Sequence, residues 1–77
     1  MNNDRRKEID KIVIIIENAK SQIDNILSDE EFSFDNMPEG LQSSDRGMQS
    51  EEAIENLQEA IDKIDEAIDF LNDAKGV

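Results

Sequence analysis

From residue 53 the chain repeats itself every seven residues. Ala53-Ile54-Glu55-Asn56-Leu57-Gln58-Glu59 is followed by Ala60-Ile61-Asp62-Lys63-Ile64-Asp65-Glu66 and then by Ala67-Ile68-Asp69-Phe70-Leu71-Asn72-Asp73. Ile54, Leu57, Ile61, Ile64, Ile68 and Leu71 step by three and four, which draws one apolar stripe along a helix. Beside it run Ala53, Ala60, Ala67 and Ala74. Small residues there widen the apolar face and admit another helix closely, so this helix is expected to have more than one helical neighbour. Ser50 with Glu51 and Glu52 marks a start, an N-cap oxygen followed by acids at the positive end of the dipole. A start nearer Ser44 also fits, with Gly47 on the exposed side. Lys75 and Gly76 mark the end.

The first half follows the same logic less tidily. Ile9, Ile12, Ile16, Ala19, Ile23 and Ile26 step by three and four, and Val13, Ile14 and Ile15 fill the gap between Ile12 and Ile16. That β-branched run suits a buried strand, but the flanking stripe has no turn signal on either side and favours helix. After Ile23 the stripe slips to Leu27 and Phe34, as a four-residue stutter produces. Met37-Pro38 stops the helix, because a residue before proline is pushed out of helical angles.

The sequence therefore predicts an all-α chain, a single helical-hairpin domain over residues 1–77. Helix 1 covers about 4–35, the hinge 36–49 and helix 2 about 50–75. Helices of this length reach about 40 Å and fold back antiparallel, with Arg5, Arg6, Lys7 and Lys11 beside Asp62, Asp65, Asp69 and Asp73. A lone hairpin leaves Val13, Ile14, Ile15, the alanine row and Phe70 against water. Chains below about 80 residues without disulfide or metal usually need oligomerisation or unusually good packing. A homo-oligomeric helix bundle is expected, a dimeric four-helix bundle being the simplest, with Val13, Ile14, Ile15, Ala60, Ala67 and Phe70 at the interface. Phe70 can equally pack on Ile9 or Ile12 if the helices rotate slightly.

Composition narrows the chemistry. The chain has no His, Cys, Trp or Tyr, which removes thiol nucleophiles, imidazole bases, haem ligation and disulfides. Asp29 to Asp35 imitates a calcium loop but has Phe34 where that loop needs glycine, and no Glu-x-x-His pair serves a di-iron site. No cofactor, metal or enzymatic activity is expected. Twenty acids stand against eight Lys and Arg, for a net charge of −12. Residues 1–23 carry +1, whereas residues 24–73 hold 16 acids against Arg46 and Lys63, a net of −14. Such a field repels phosphates and argues against direct nucleic-acid binding. The Met1–Glu8 segment and the short apolar run Ile12–Ile16 match neither a signal peptide nor a membrane span. A cytoplasmic protein without membrane contact is expected.

The hinge is long for two helices, where 2–8 residues are typical. Pro38 and Gly40 set turns, Phe34, Met37, Leu41 and Met48 are placed to close the end of the core, and Ser43, Ser44 and Asp45 are placed to cap the next helix. Asp35-Asn36-Met37-Pro38-Glu39-Gly40-Leu41-Gln42, then Ser44 and Arg46, then Ala53, Leu57 and Ala60, resembles small uncharacterised proteins of phages and prophages of Gram-positive bacteria. These show a D-N-x-P-E-x-L-Q-x-S-x-R-like hinge between two helical stretches. The resemblance covers roughly residues 28–65 and implies a phage accessory setting, often host takeover or anti-defence, with no established activity.

Three functional readings follow. In the first, Gln42, Ser43, Ser44 and Arg46 bind a small anionic ligand such as a nucleotide immune signal, sequestered in pockets multiplied by oligomerisation. The plain alternative is that Arg46 pairs with Glu39 or Asp45 and the loop only closes the bundle. In the second, the ladders Glu55-Asp62-Asp69 and Glu59-Glu66-Asp73, with steps of about 10 Å, make an inhibitor or nucleic-acid mimic that binds a basic host protein. The plain alternative there is a solvated face that keeps the oligomer soluble. In the third, the chain is a self-assembly module whose only partner is itself.

Overall fold

The computed structural model describes residues 1–77 and contains only helices: α1 (Asn3–Asp35), the single-turn α2 (Glu39–Gln42) and α3 (Asp45–Lys75). The Ile12–Ile16 run stays helical because the three-four spacing continues through it on both sides. Asn2 caps α1, its side-chain oxygen accepting from the Arg5 N–H at 2.8 Å. At the other end the Asn36 backbone and side-chain N–H groups both donate to the Phe32 carbonyl, at 3.1 and 2.7 Å. Pro38 cannot continue that ladder. With extended backbone (ψ 145°) it turns the chain into α2, and its carbonyl accepts from Leu41 and Gln42. Only residues 36–38 and 43–44 of the expected hinge lie outside helices.

α3 starts earlier than Ser50. Ser44 is the N-cap, accepting from the Gly47 N–H at 3.5 Å, and Ser50 sits in the second turn. There it is 5% exposed and donates to Glu30 Oε1 at 2.7 Å. Gly47 is not on the exposed side but buried where the end of α2 crosses α3. A Cβ at this position would overlap the Gln42 carbonyl oxygen and stand 2.5 Å from that of Leu41.

α1 and α3 lie antiparallel in a rod of 58 × 15 × 12 Å. Every residue of α1 that is buried or half-buried falls on one sequence: Arg6, Ile9, Val13, Ile16, Lys20, Ile23, Leu27, Glu30, Phe34. The steps alternate between three and four without a break. α3 answers with Gly47, Ser50, Ile54, Leu57, Ile61, Ile64, Ile68, Leu71 and Lys75. This corrects the expected α1 stripe. There is no stutter; Val13, Lys20 and Glu30 join Ile9, Ile16, Ile23, Leu27 and Phe34 in the seam, while Ile12, Ala19 and Ile26 lie beside it, exposed. Two polar members hid the register. Lys20 pairs across the seam with Asp65 at 2.6 Å, and Glu30 accepts a hydrogen bond from the Ser50 hydroxyl.

The cross-helix charges also differ from expectation. Arg5, Lys7 and Lys11 make no ion pair, and Arg6 donates to the carbonyls of Lys75 at 2.9 Å and Val77 at 3.4 Å. A cation on the last carbonyls of α3 meets the negative end of its dipole. Lys75 pairs with Asp10 at 2.6 Å and the Met1 ammonium donates to the Val77 carbonyl at 2.9 Å. Orientation is thus set at the helix ends and at Lys20–Asp65. No helix is long and apolar enough to cross a membrane.

Candidate functional site

Writing the heptad a to g, with Val13 and Gly47 at a, the seam takes positions a and d of both helices. The remaining rows separate into two unlike faces. A cleft of about 550 Å³ is lined by Glu17, Lys20, Ser21 and Asp24 of α1 with Asp65, Ile68 and Asp69 of α3. The b and e rows of both helices therefore share one face. It carries Asp10, Glu17, Asp24, Glu31, Glu51, Glu55, Asp62, Asp65 and Asp69. Lys20 is the cation set into this field. The hydrogen bond from its ammonium to Asp65 raises its pKa above 10.5 against the opposing effect of desolvation, with the charges of Asp65, Asp24 and Glu17 adding to the rise.

The opposite face is made by the c and g rows. On α3 these rows read Arg46, Gln49, Ala53, Asn56, Ala60, Lys63, Ala67, Phe70, Ala74, without one acid; every Asp and Glu of α3 sits at b, e or f. On α1 the stretch between Glu8 and Asp29 reads Ile12, Ile15, Ala19, Gln22, Ile26. Phe70 is 73% exposed and Ile15 61%. That both g rows lie on this side is fixed at the hinge end, where Ser33 and Arg46 line one cleft with Glu30, Gln49 and Ser50.

Of the expected interface residues, Ile15, Ala60, Ala67 and Phe70 stand together on the c/g face. Val13 does not: it is in the hairpin seam, 8% exposed, because its position a points at α3. Ile14, at b, projects from the acidic side. Ile12 and Ile26 were assigned to the hairpin stripe from their spacing and instead complete the exposed face. Their equal spacing to Ala19 was the available signal, but it also fitted a seam.

The expected anion-binding residues are divided. Gln42 Nε2 donates to the Phe34 carbonyl at 3.0 Å, Ser43 Oγ to Glu39 at 3.5 Å, and Ser44 Oγ to Leu41 while capping α3. Gln42 and Ser43 border a cleft with Phe34, Glu39, Met48 and Glu51. Arg46 is on the other side, between one cleft with Phe32, Asn36, Met37, Pro38 and Leu41 and the Glu30–Gln49–Ser50 cleft. Arg46 pairs with neither Glu39 nor Asp45, and the exposed pairs of Lys63 with Glu59 and Glu66 are 3.7 Å long. Phe34 and Met37 close the end of the seam, whereas Leu41 and Met48 remain largely exposed. No group of three or more acids is gathered closely enough to hold a metal ion. No protein-family model, curated protein or solved structure matches the chain.

Proposed function

We propose that this chain is a non-enzymatic binding protein that acts as a homo-oligomer, closing its c/g face against a second copy and turning its b/e/f carboxylates outward. The observation that carries the reading is the sorting of charge on α3: of the rows outside the seam, b, e and f carry acids and c and g carry none. Solubility alone does not require such sorting, since a solvated helix accepts acids on all exposed rows. Area supports it. The chain exposes 5739 Å², against about 4,800 Å² for a compact protein of its mass. The excess, roughly 900 Å², is close to the 800 Å² or so that each partner buries in a stable complex.

Sedimentation or light scattering at micromolar concentration tests this. Wild type is expected at a multiple of 8.8 kDa, and Ile15→Glu, which places a charge in the middle of the face, at the monomer mass. A wild-type monomer at that concentration would overturn the proposal.

Once the apolar face is closed, the acidic face and its cleft around Lys20 remain for a foreign partner. A basic protein surface fits it, and association is then steeply salt-dependent. Sequestration of a small anion is a second reading, favoured by one observation: Arg46 has no carboxylate partner. It rests on Arg46 alone, since Gln42, Ser43 and Ser44 spend their donors on backbone carbonyls. The hinge resemblance adds to either reading a phage accessory setting in the bacterial cytoplasm, with host defence as the target.

A further inference from the structure

Resting on the self-association just proposed, we infer that two copies pair with their hinges at the same end of a four-helix bundle, α1 of one against α3 of the other. Two hairpins can meet face to face about a two-fold axis in only two ways. An axis across the rod lays α1 on the partner's α1 and α3 on the partner's α3, with the hinges at opposite ends. An axis along the rod lays α1 on the partner's α3 at both new contacts, with the hinges together. Both make every neighbouring pair antiparallel, so helix dipoles do not choose between them.

Side-chain size chooses. The g row of α1 carries Ile12 and Ile26 around Ala19, while that of α3, after Arg46 at its start, carries alanine at 53, 60, 67 and 74. The crosswise axis makes one contact isoleucine on isoleucine and the other alanine on alanine. Helices spaced for isoleucine leave gaps between the alanines, and helices spaced for alanine overlap the isoleucines. The lengthwise axis gives two identical contacts, each large against small.

Register agrees. A lengthwise axis preserves height along the rod, so the levels set within one hairpin by Asp10–Lys75, Lys20–Asp65 and Glu30–Ser50 also hold between copies. On those levels Ile12 falls between Ala67 and Ala74, Ala19 between Ala60 and Ala67, and Ile26 between Ala53 and Ala60. Each isoleucine of this row therefore meets alanine on the partner and not a second bulky side chain. Phe70 comes level with Ile12 and Ile15 of the partner and covers them.

The chain has no cysteine, and Gly40 in α2 has open space around it, an added Cβ meeting nothing within 4 Å. A nitroxide on Gly40→Cys therefore reports hinge-to-hinge distance by pulsed electron resonance without disturbing the seam. With helices packed 8–10 Å apart, the expected separation is below about 35 Å, and a label on Asn3→Cys at the other end gives a similarly short one. A Gly40 separation approaching the 58 Å rod length overturns the hinge-together arrangement and leaves self-association standing. Monomer mass with no dipolar coupling at either site overturns both.

Discussion

Replacing Gly47 by alanine separates local from tertiary reasoning by the sign of its effect. Glycine inside a helix is about 1 kcal/mol worse than alanine, so the helix alone predicts that Gly47→Ala stabilises. The structure predicts the reverse. The new methyl would overlap the Gln42 carbonyl oxygen and lie 2.5 Å from the Leu41 oxygen, where carbon and oxygen ordinarily stay about 3.3 Å apart. α2 would have to retreat by roughly 1 Å, against the Gln42–Phe34 hydrogen bond at 3.0 Å and the Ser44 cap. Overpacking of this kind costs about 1–3 kcal/mol, which outweighs the propensity gain and leaves a net loss near 1 kcal/mol. For a chain this short that lowers Tm by about 4–8 °C. Thermal melts by far-ultraviolet circular dichroism measure it, at one fixed chain concentration because an oligomer's Tm depends on concentration. Gly40→Ala is the control: its Cβ meets nothing and its φ is negative, so it is expected to melt slightly higher than wild type. A Gly47→Ala protein that also melts higher would refute the packing argument.

Ser50→Ala leaves Glu30 without its seam partner and is expected to cost about 1 kcal/mol, with Ser50→Ala and Glu30→Gln non-additive in urea titrations; full additivity would show that the pair does not interact. Because the folded pKa of Lys20 lies above 10.5, its contribution is complete below the ordinary lysine pKa of about 10.4 and is lost as pH climbs through the folded value. Melts between pH 9 and 12 should therefore fall less steeply for Lys20→Met than for wild type, and equal slopes would remove Lys20 from the account. Ile26→Glu, like Ile15→Glu, is expected to weaken self-association at least tenfold while leaving helix content at high concentration unchanged. Arg46→Ala is expected to leave mass and Tm unchanged; binding of inorganic phosphate or a nucleotide by wild type, lost in Arg46→Ala, would raise the anion reading above the acidic-face one.

Much of the architecture is legible in the residues. The alanine heptads, Pro38 and Gly76 declare helices and their ends, and the alanine row beside the α3 stripe already asks for a second neighbour. What failed is instructive. In α1 the row Ile12, Ala19 and Ile26 and the row Val13, Lys20 and Leu27 run one residue apart on either side of Ile9, Ile16 and Ile23, so spacing cannot say which of them joins those three against α3. The favoured row was wrong because the true one contains Lys20 and Glu30, residues that look like surface. Their partners, Asp65 and Ser50, lie on the other helix, and only the hairpin's register brings them close. The expected anion-binding residues are divided between two sides for a related reason: adjacent residues Gln42 to Arg46 straddle a helix start, where successive side chains diverge and the short polar ones bond nearby carbonyls.

The sequence by itself determined that this chain is helical, acidic and thinly cored, because those properties depend on periodicity, charge count and length. Tertiary structure decided which apolar row is spent inside the hairpin and which remains exposed. That choice depends on cross-helix pairing of single polar groups, Lys20 with Asp65 and Glu30 with Ser50, and such pairs become visible only when the two helices are set side by side.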